Sequence, residues 1–264
     1  MENTKDRIIL SMDISTTTIG ISIFKVKPNS TDGEILVLTH VTPKISKNIK
    51  GIETLFVKKQ IFEEEFLKKY ANFGITDVIV EEPLLRSNNV NTISTLLRFN
   101  GIITDSVYNT LGLVANFISS YDARKYAFPE LLAIRKFDKK GGFYPYKKYI
   151  KTIEDSIKGK GGLTLFSEYL FDVDKKRILW DKINEKYPSI NWLYNKKGVL
   201  CKENFDMSDS LICVLGFLNK ERYGDYSPSI LSYNVENEGS KPIISYEFEH
   251  INKKDVIKHK INLT

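Results

Sequence analysis

The sequence has few of the residues that build disulfide frameworks and soft-metal sites. Its 264 residues include only two cysteines, Cys201 and Cys213, and three histidines. Two cysteines are too few for a disulfide framework, and their spacing is not that of metal ligands. We therefore exclude a disulfide-rich fold and a cysteine-based metal centre, and we expect a reducing compartment.

Long apolar runs are also missing. No stretch approaches the roughly 20 apolar residues of a membrane-spanning helix, and no secretory-signal core follows the polar residues 1–7. The Gly-Lys-Gly-Gly segment at 159–162 lacks the Gly-x4-Gly-Lys-Ser/Thr spacing of a phosphate loop. We expect a soluble, cytoplasmic protein of a bacterial or phage-infected cell, since the abundant Lys, Asn and Ile fit a phage or another AT-rich genome.

Two short apolar runs flank the segment 13–20, which reads Asp-Ile-Ser-Thr-Thr-Thr-Ile-Gly. The runs 8–12 and 21–24 are rich in β-branched residues and predict the strands of a β-hairpin. Asp13 then lies at the open end of a buried strand, where a carboxylate is costly unless a positive group meets it. The alternative is that Asp13 simply caps the turn.

The first half of the chain continues with alternating strand-like and helix-like stretches. Strands are predicted at 34–41, 75–80 and 113–119, and helices at 51–70 and 91–110. Gly101, inside the second of these helices, predicts a close approach to a neighbouring element.

Acidic residues lie at the ends of two further apolar elements. Glu81 directly continues the predicted strand 75–80, although the adjacent Glu82 is the alternative and one of the two is ordinary surface charge. Asp206 and Asp209 are three residues apart near the start of a predicted helix, and they therefore share one face of it. A capping role at the helix N-terminus is the alternative for this pair.

Basic residues are in excess, with 39 Lys and Arg against 33 Asp and Glu and a net charge of +6. Residues 124–160 contain eleven Lys or Arg against four acids, with seven aromatic rings among them. Such a stretch can bind phosphates and stack on bases, although a solvated lysine surface over buried rings is the alternative. With two residues of the polar segment after Glu82, the candidate DNA-binding residues are Arg86, Asn88, Arg124, Lys125, Lys136, Lys139, Lys140, Lys147 and Lys148.

The separated acids converge if the first and fourth strands are neighbours. Asp13 and Glu81 then lie about 5 Å apart, and a helix packed on the sheet brings Asp209 to the same place. Converging carboxylates repel one another unless divalent cations join them. Oxygen ligands without histidine or thiolate favour Mg²⁺ or Mn²⁺. Such a cluster suits two-metal phosphodiester hydrolysis.

Taken in their order along the chain, these motifs resemble those of the RuvC-type Holliday junction resolvases, which have the RNase H-like fold. The similar segments are 12–20 for the first acidic motif, 78–82 for the second, 88–101 for the helix after it, 121–125 for the segment after the fifth strand, and 206–211 for the closing acidic helix. The resemblance covers residues 7 to about 126 and 204 to 219.

The resemblance implies one α/β nuclease domain, a five-stranded mixed sheet flanked by helices. Its core would comprise about 7–126 and 204–220, with a basic and helical insertion over about 135–200 and a C-terminal extension over about 222–264. It implies a homodimer that cuts four-way DNA junctions with two Mg²⁺ or Mn²⁺ ions per active site. The catalytic metal ligands would be Asp13, Glu81, Asp206 and Asp209.

Three other functions have some support. The segment 13–20 is also similar to the phosphate loop of an actin-like or sugar-kinase ATPase, although a second such loop and a Gly-rich adenosine motif are missing. A nuclease of the same fold could act on flaps or on other branched or RNA-containing substrates. A DNA-binding protein without catalysis would use residues 124–160 but would not need Asp13 and Glu81 at strand ends.

Overall fold

A computed structural model describes residues 7–28, 30–83, 89–128, 175–223, 228–238, 241–251 and 256–263. The chain divides into two compact units, of which the first comprises Met1–Ala123 and Leu179–Leu218 and the second Arg124–Ile178 and Asn219–Thr264. Within the described ranges, no helix combines the length and the apolar character that crossing a membrane requires. The division into one nuclease domain with an insertion and an extension stays a prediction.

The first unit is built on a five-stranded mixed sheet. Its strands are β1 (Arg7–Ile14), β2 (Ile19–Val26), β3 (Gly33–Val41), β4 (Asp77–Glu81) and β5 (Ala115–Ile118). Their order is β3-β2-β1-β4-β5, and β2 alone runs opposite to the others. This is the strand order of the RNase H-like fold, so the predicted α/β architecture is confirmed.

The helices connect the strands much as the apolar periodicity predicts. Their bounds are α1 (Glu53–Phe62), which continues through a π-helical turn (Glu63–Leu67) into α2 (Lys68–Tyr70), then α3 (Val90–Leu111), α4 (Ser120–Ala127), α5 (Lys175–Lys186) and α6 (Glu203–Tyr223). The Asn89 side chain caps α3 by accepting from the backbone N–H groups of Asn91 and Thr92, at 3.0 and 3.3 Å. The helix ends at Gly112, which has a φ of 68°.

The main hydrophobic core lies between one face of the sheet and the helices α1 and α3. Successive strand residues point to opposite faces, so alternate residues of β1, β2 and β4 enter this core. Its fully buried members include Leu10, Met12, Ile21, Ile23, Val78, Val80, Phe62, Phe99 and Ile103. The other face of the sheet is therefore left for α6.

The prediction for Gly101 is wrong for the part of the chain that the structure describes. A Cβ placed on Gly101 would meet no atom within 4 Å, and this glycine is exposed on α3. The predicted helix is present. Among the described residues, however, no packing contact explains why position 101 is a glycine.

The second unit contains a three-stranded antiparallel sheet. Its strands are β6 (Pro228–Glu238), β7 (Lys241–Ile251) and β8 (Val256–Leu263), in that order. The sequence also predicts a strand near residues 243–246 of an otherwise polar tail, and these residues lie inside β7.

Candidate active site

Asp13 and Glu81 lie side by side at one edge of the sheet. Asp13 is the last but one residue of β1, and Glu81 is the last residue of β4. The two strands are parallel and pair Met12 with Val80, so the two acids are the next residues on neighbouring strands. Adjacent strands are about 4.8 Å apart. The first and fourth strands are therefore neighbours, as the sequence predicts.

Both carboxylates belong to the face of the sheet opposite the main core. In β1, Leu10 and Met12 enter the core, so Asp13 projects to the other side. In β4 the same alternation places Val80 in the core and Glu81 on the side of Asp13. Each of the two acids is half-buried.

Helix α6 packs against this second face through a glycine contact. Gly20 in β2 is the cross-strand partner of Asp13. A Cβ placed on Gly20 would lie 2.0 Å from the carbonyl oxygen of Asp206 and 2.8 Å from the backbone nitrogen of Met207. Only a residue without a side chain allows this approach, so Gly20 sets Asp206 beside the strand pair that carries Asp13.

A second contact joins α6 to the end of β4. The buried thiol of Cys213 donates to Glu81 Oε2 over 3.8 Å. Asp206, Asp209 and Cys213 are spaced by three and four residues, which places them on one face of the helix. This face therefore runs from the first hairpin to Glu81, and Asp209 on it is only 6% exposed.

The N-cap position for Asp206 is wrong, although Asp206 lies in the first turn of α6, where the helix dipole favours negative charge. The helix begins at Glu203, so Asp206 is its fourth residue and Asp209 lies a further turn inside. Capping side chains stand before the first turn and accept from its free N–H groups. Near the start of the helix, Asn204 instead exchanges hydrogen bonds with the backbone of Leu193 at 2.9 and 2.7 Å.

The turn after Asp13 is closed by its own hydroxyl groups. Ser15 Oγ donates to the Thr18 carbonyl oxygen at 2.8 Å and accepts from the Thr18 N–H at 3.0 Å and the Thr17 N–H at 3.3 Å. The Ser15 N–H also donates to the Thr18 carbonyl oxygen. Side-chain bonds of this kind favour a tight turn over a longer strand.

Two helices hold this turn in place from the core side. The Lys58 amine on α1 donates to the Thr16 carbonyl oxygen, and it lies 5.9 Å from the centre of the Phe99 ring. Burial lowers the pKa of the Lys58 amine. On α3, the buried Asn100 side chain donates to the Ile14 carbonyl oxygen at 3.2 Å. The sequence carries no local signal for either contact, since each joins residues that are far apart along the chain.

The chemistry of the acidic residues fits a hard divalent cation. Asp13, Glu81, Asp206 and Asp209 offer only carboxylate oxygens, which Mg²⁺ and Mn²⁺ prefer. Among the residues that the structure describes, however, no three His, Cys, Asp or Glu side chains are arranged to hold a metal ion. The backbone thus brings these acids to one face, while their joint use as ligands stays a prediction.

The candidate DNA-binding residues are described only in part. Arg124 and Lys125 lie in α4 and are half-buried, and Lys125 Nζ is 4.9 Å from the centre of the Tyr126 ring. The others, Arg86, Asn88, Lys136, Lys139, Lys140, Lys147 and Lys148, lie outside the described residues. A DNA-binding role for the whole set stays a prediction.

No protein-family model matches the chain, and no curated protein matches it. Among solved structures, RuvC of Thermus thermophilus is similar over 81% of this chain and 95% of its own, at 11% identity and a TM-score of 0.46. Fowlpox virus resolvase in complex with Holliday junction DNA matches 81% of this chain and 98% of its own, at 16% identity and a TM-score of 0.33. The Aquifex aeolicus PPX-GPPA enzyme matches 48% and 41%, at 15% identity and a TM-score of 0.32. The similar structures thus include a bacterial RuvC and a viral resolvase, and the fold assignment of this chain rests on its own strand order.

Proposed function

We propose that this protein is a divalent-metal-dependent endonuclease that cuts branched DNA, with the four-way junction as its substrate. One observation carries the proposal: β1, β4 and α6 bring Asp13, Glu81, Asp206 and Asp209 to the same face of the sheet. A partly buried carboxylate costs free energy, so four of them on one face are hard to explain by packing alone. The ordered resemblance to the RuvC-type motifs supports the same reading.

The four carboxylates would hold two Mg²⁺ or Mn²⁺ ions. Bound there, the ions supply an activated water and stabilise the leaving oxygen of a phosphodiester. The chain itself positions the ligands. Gly20 sets the depth of α6, and the Cys213 thiol orients the carboxylate of Glu81. Lys58 and Asn100 hold the turn that follows Asp13.

Symmetric cutting of a junction needs two active sites that face opposed strands. We therefore propose a homodimer, as the resemblance to the resolvases implies. The basic residues of 124–160 would contribute to DNA affinity through the phosphates, since such contacts do not depend on base sequence. Light scattering of the purified protein, with and without a junction, measures the oligomeric state directly.

The test of the proposal is cleavage of a labelled synthetic four-way junction beside a linear duplex and a flap of the same sequences. Wild type, Asp13→Asn and Glu81→Gln are compared in Mg²⁺, Mn²⁺ and EDTA. Glu82→Gln is the matched control, because it removes the neighbouring charge from an exposed side chain. We expect paired nicks in the junction, lost in EDTA and in the first two variants and kept in the control.

Two other outcomes of this experiment would change the proposal. Cleavage of the flap but not of the junction would keep the acidic site and replace the substrate. No cleavage of any DNA in either metal, by protein that is folded and binds DNA, would overturn the nuclease proposal and return Asp13 to the role of a turn residue.

A further inference from the structure

The segment between β3 and α1, residues 42–52, is a basic loop that we name the lysine loop. Lys44, Lys47 and Lys50 recur at every third position, and the sequence has no Asp or Glu between Glu34 and Glu53. All three lysines are exposed. None of them forms an ion pair with another described residue.

The lysine loop begins at the edge of the sheet where Asp13 and Glu81 lie. β3 is parallel to β1, so the two strands end at the same edge. The last residue of β3, Val41, pairs with Ile19, and Thr42 Oγ1 is 3.4 Å from Thr18 Oγ1. Thr18 closes the turn that follows Asp13, so the loop starts directly beside this turn.

The apolar residues of the lysine loop pack into the first unit and anchor the loop there. Pro43 is buried, and Ile45 and Ile49 are half-buried, whereas the lysines between them are exposed. The Ile49 N–H donates to the Ser46 carbonyl oxygen at 3.1 Å and closes a turn. Gly51, with a φ of 61°, then allows the chain to enter α1. The three charges thus project from an anchored segment.

We propose that the lysine loop holds the phosphate backbone of the DNA substrate beside the acidic face. This inference rests on the proposed nuclease function and names a surface for its substrate. Three residues span at most about 10 Å, so flexible lysine side chains at this spacing can reach different phosphates of one strand. Contacts of this kind add affinity and position the DNA without reading its sequence.

The test is the salt dependence of junction binding, measured by fluorescence anisotropy in EDTA so that no cleavage occurs. A triple variant, Lys44→Gln with Lys47→Gln and Lys50→Gln, is compared with wild type. Each lost phosphate contact lowers the slope of log affinity against log salt by about 0.9. We expect a slope shallower by about 2–3 and affinity at low salt reduced by at least about tenfold.

A matched control removes the same charge from the other edge of the sheet. Lys27 follows the end of β2, and Lys68 and Lys69 lie in α2 before the chain enters β4; all three are exposed. Their triple change to Gln leaves the salt slope unchanged if the lysine loop is the binding surface. Equal effects of the two triple variants would show an unspecific charge effect and overturn the inference.

Two further outcomes separate this inference from the nuclease proposal. If the wild-type protein cuts the junction and the loop variant has the same salt slope as wild type, only the inference about the lysine loop is overturned. If the wild-type protein binds DNA but cuts none, and the loop variant has the shallower salt slope, the nuclease proposal is overturned and the binding surface is kept. Thermal unfolding of each variant checks that it is folded.

Discussion

Gly20 and Asp206 are in backbone contact, since a Cβ on Gly20 would lie 2.0 Å from the Asp206 carbonyl oxygen. The contact joins the first hairpin to α6 and fixes where the acidic face of this helix lies. No rotation of a side chain could relieve a clash there, because the obstructing atoms are all backbone.

The change Gly20→Ala should therefore destabilise the protein strongly. We expect the unfolding free energy to fall by about 3 kcal/mol, the upper range for overpacking, with α6 displaced from the sheet. Gly101→Ala is the control, because this glycine lies on the exposed side of α3 with no atom within 4 Å of an added Cβ. That change should raise stability by about 0.5–1 kcal/mol. Urea denaturation measures both, and similar effects in the two variants would contradict the close contact.

The two cysteines should differ in reactivity in the folded protein. Cys213 lies on the buried face of α6, whereas Cys201 is half-buried in the segment before this helix. We expect one thiol to react quickly with a disulfide reagent in buffer, and both to react in denaturant. In Cys201→Ser no fast reaction should remain. A fast reaction of Cys213 would mean that α6 is not packed on the sheet as the structure shows.

Acid should destabilise the first unit through carboxylates that the fold keeps ionised. Burial alone would raise the pKa of Asp77, but hydrogen bonds from Arg7, at 3.0 and 2.8 Å, and from Thr76 outweigh it and hold the pKa below its usual range. The pKa of Glu63 is lowered in the same way, because bonds from Ser106 and Lys59 outweigh its burial.

A carboxyl whose pKa is lowered on folding contributes stability above its unfolded pKa, which is near 4. That contribution is lost as the pH falls through the folded pKa. We expect the urea midpoint to drop below about pH 4 and Asp77→Asn to reduce this drop, with a loss of about 1–2 kcal/mol at neutral pH. A variant as acid-sensitive as wild type would show that Asp77 is not one of the groups responsible.

The turn after Asp13 should loosen when its lysine anchor is removed. Lys58→Met keeps the length of the side chain but removes the donor to the Thr16 carbonyl oxygen. Lys59→Met is the matched control on the next residue of α1, where the lysine pairs with Glu63 at 3.2 Å. Hydrogen exchange of a peptide spanning 13–18 should become faster only in the first variant. The same protection in both would mean that Lys58 does not hold the turn, which Ser15 and Asn100 would then keep in place.

Much of the sheet could be predicted from local patterns. The β-branched runs around Asp13 and the apolar run before Glu81 show the strands directly, and the strand order then makes these two acids neighbours. The π-helical turn at Glu63–Leu67 has no such signal, since its residues are ordinary helix formers. Gly20 is readable only as a turn glycine, because its contact with α6 depends on packing between distant segments.

The parts of the site that escaped prediction are those that depend on tertiary packing. The bonds from Lys58 to Thr16, Asn100 to Ile14 and Cys213 to Glu81 each join distant parts of the chain. The three lysines of the lysine loop are visible in the sequence, but residues 124–160 contain more basic residues, eleven Lys or Arg, with aromatic rings among them. The position of the lysine loop beside Asp13 becomes apparent only from the strand directions.

The distance in sequence between Gly20 and Asp206 has a consequence for synthesis in the cell. The apolar residues on the second face of the sheet, such as Ile9 and Ile79, emerge from the ribosome long before α6 is synthesised. At about 5–20 residues per second, the delay is roughly ten to forty seconds. During that time the nascent chain exposes an apolar sheet surface that chaperones would bind, and a product truncated before α6 would keep this surface exposed. Release of the chain from chaperones should therefore depend on the synthesis of α6.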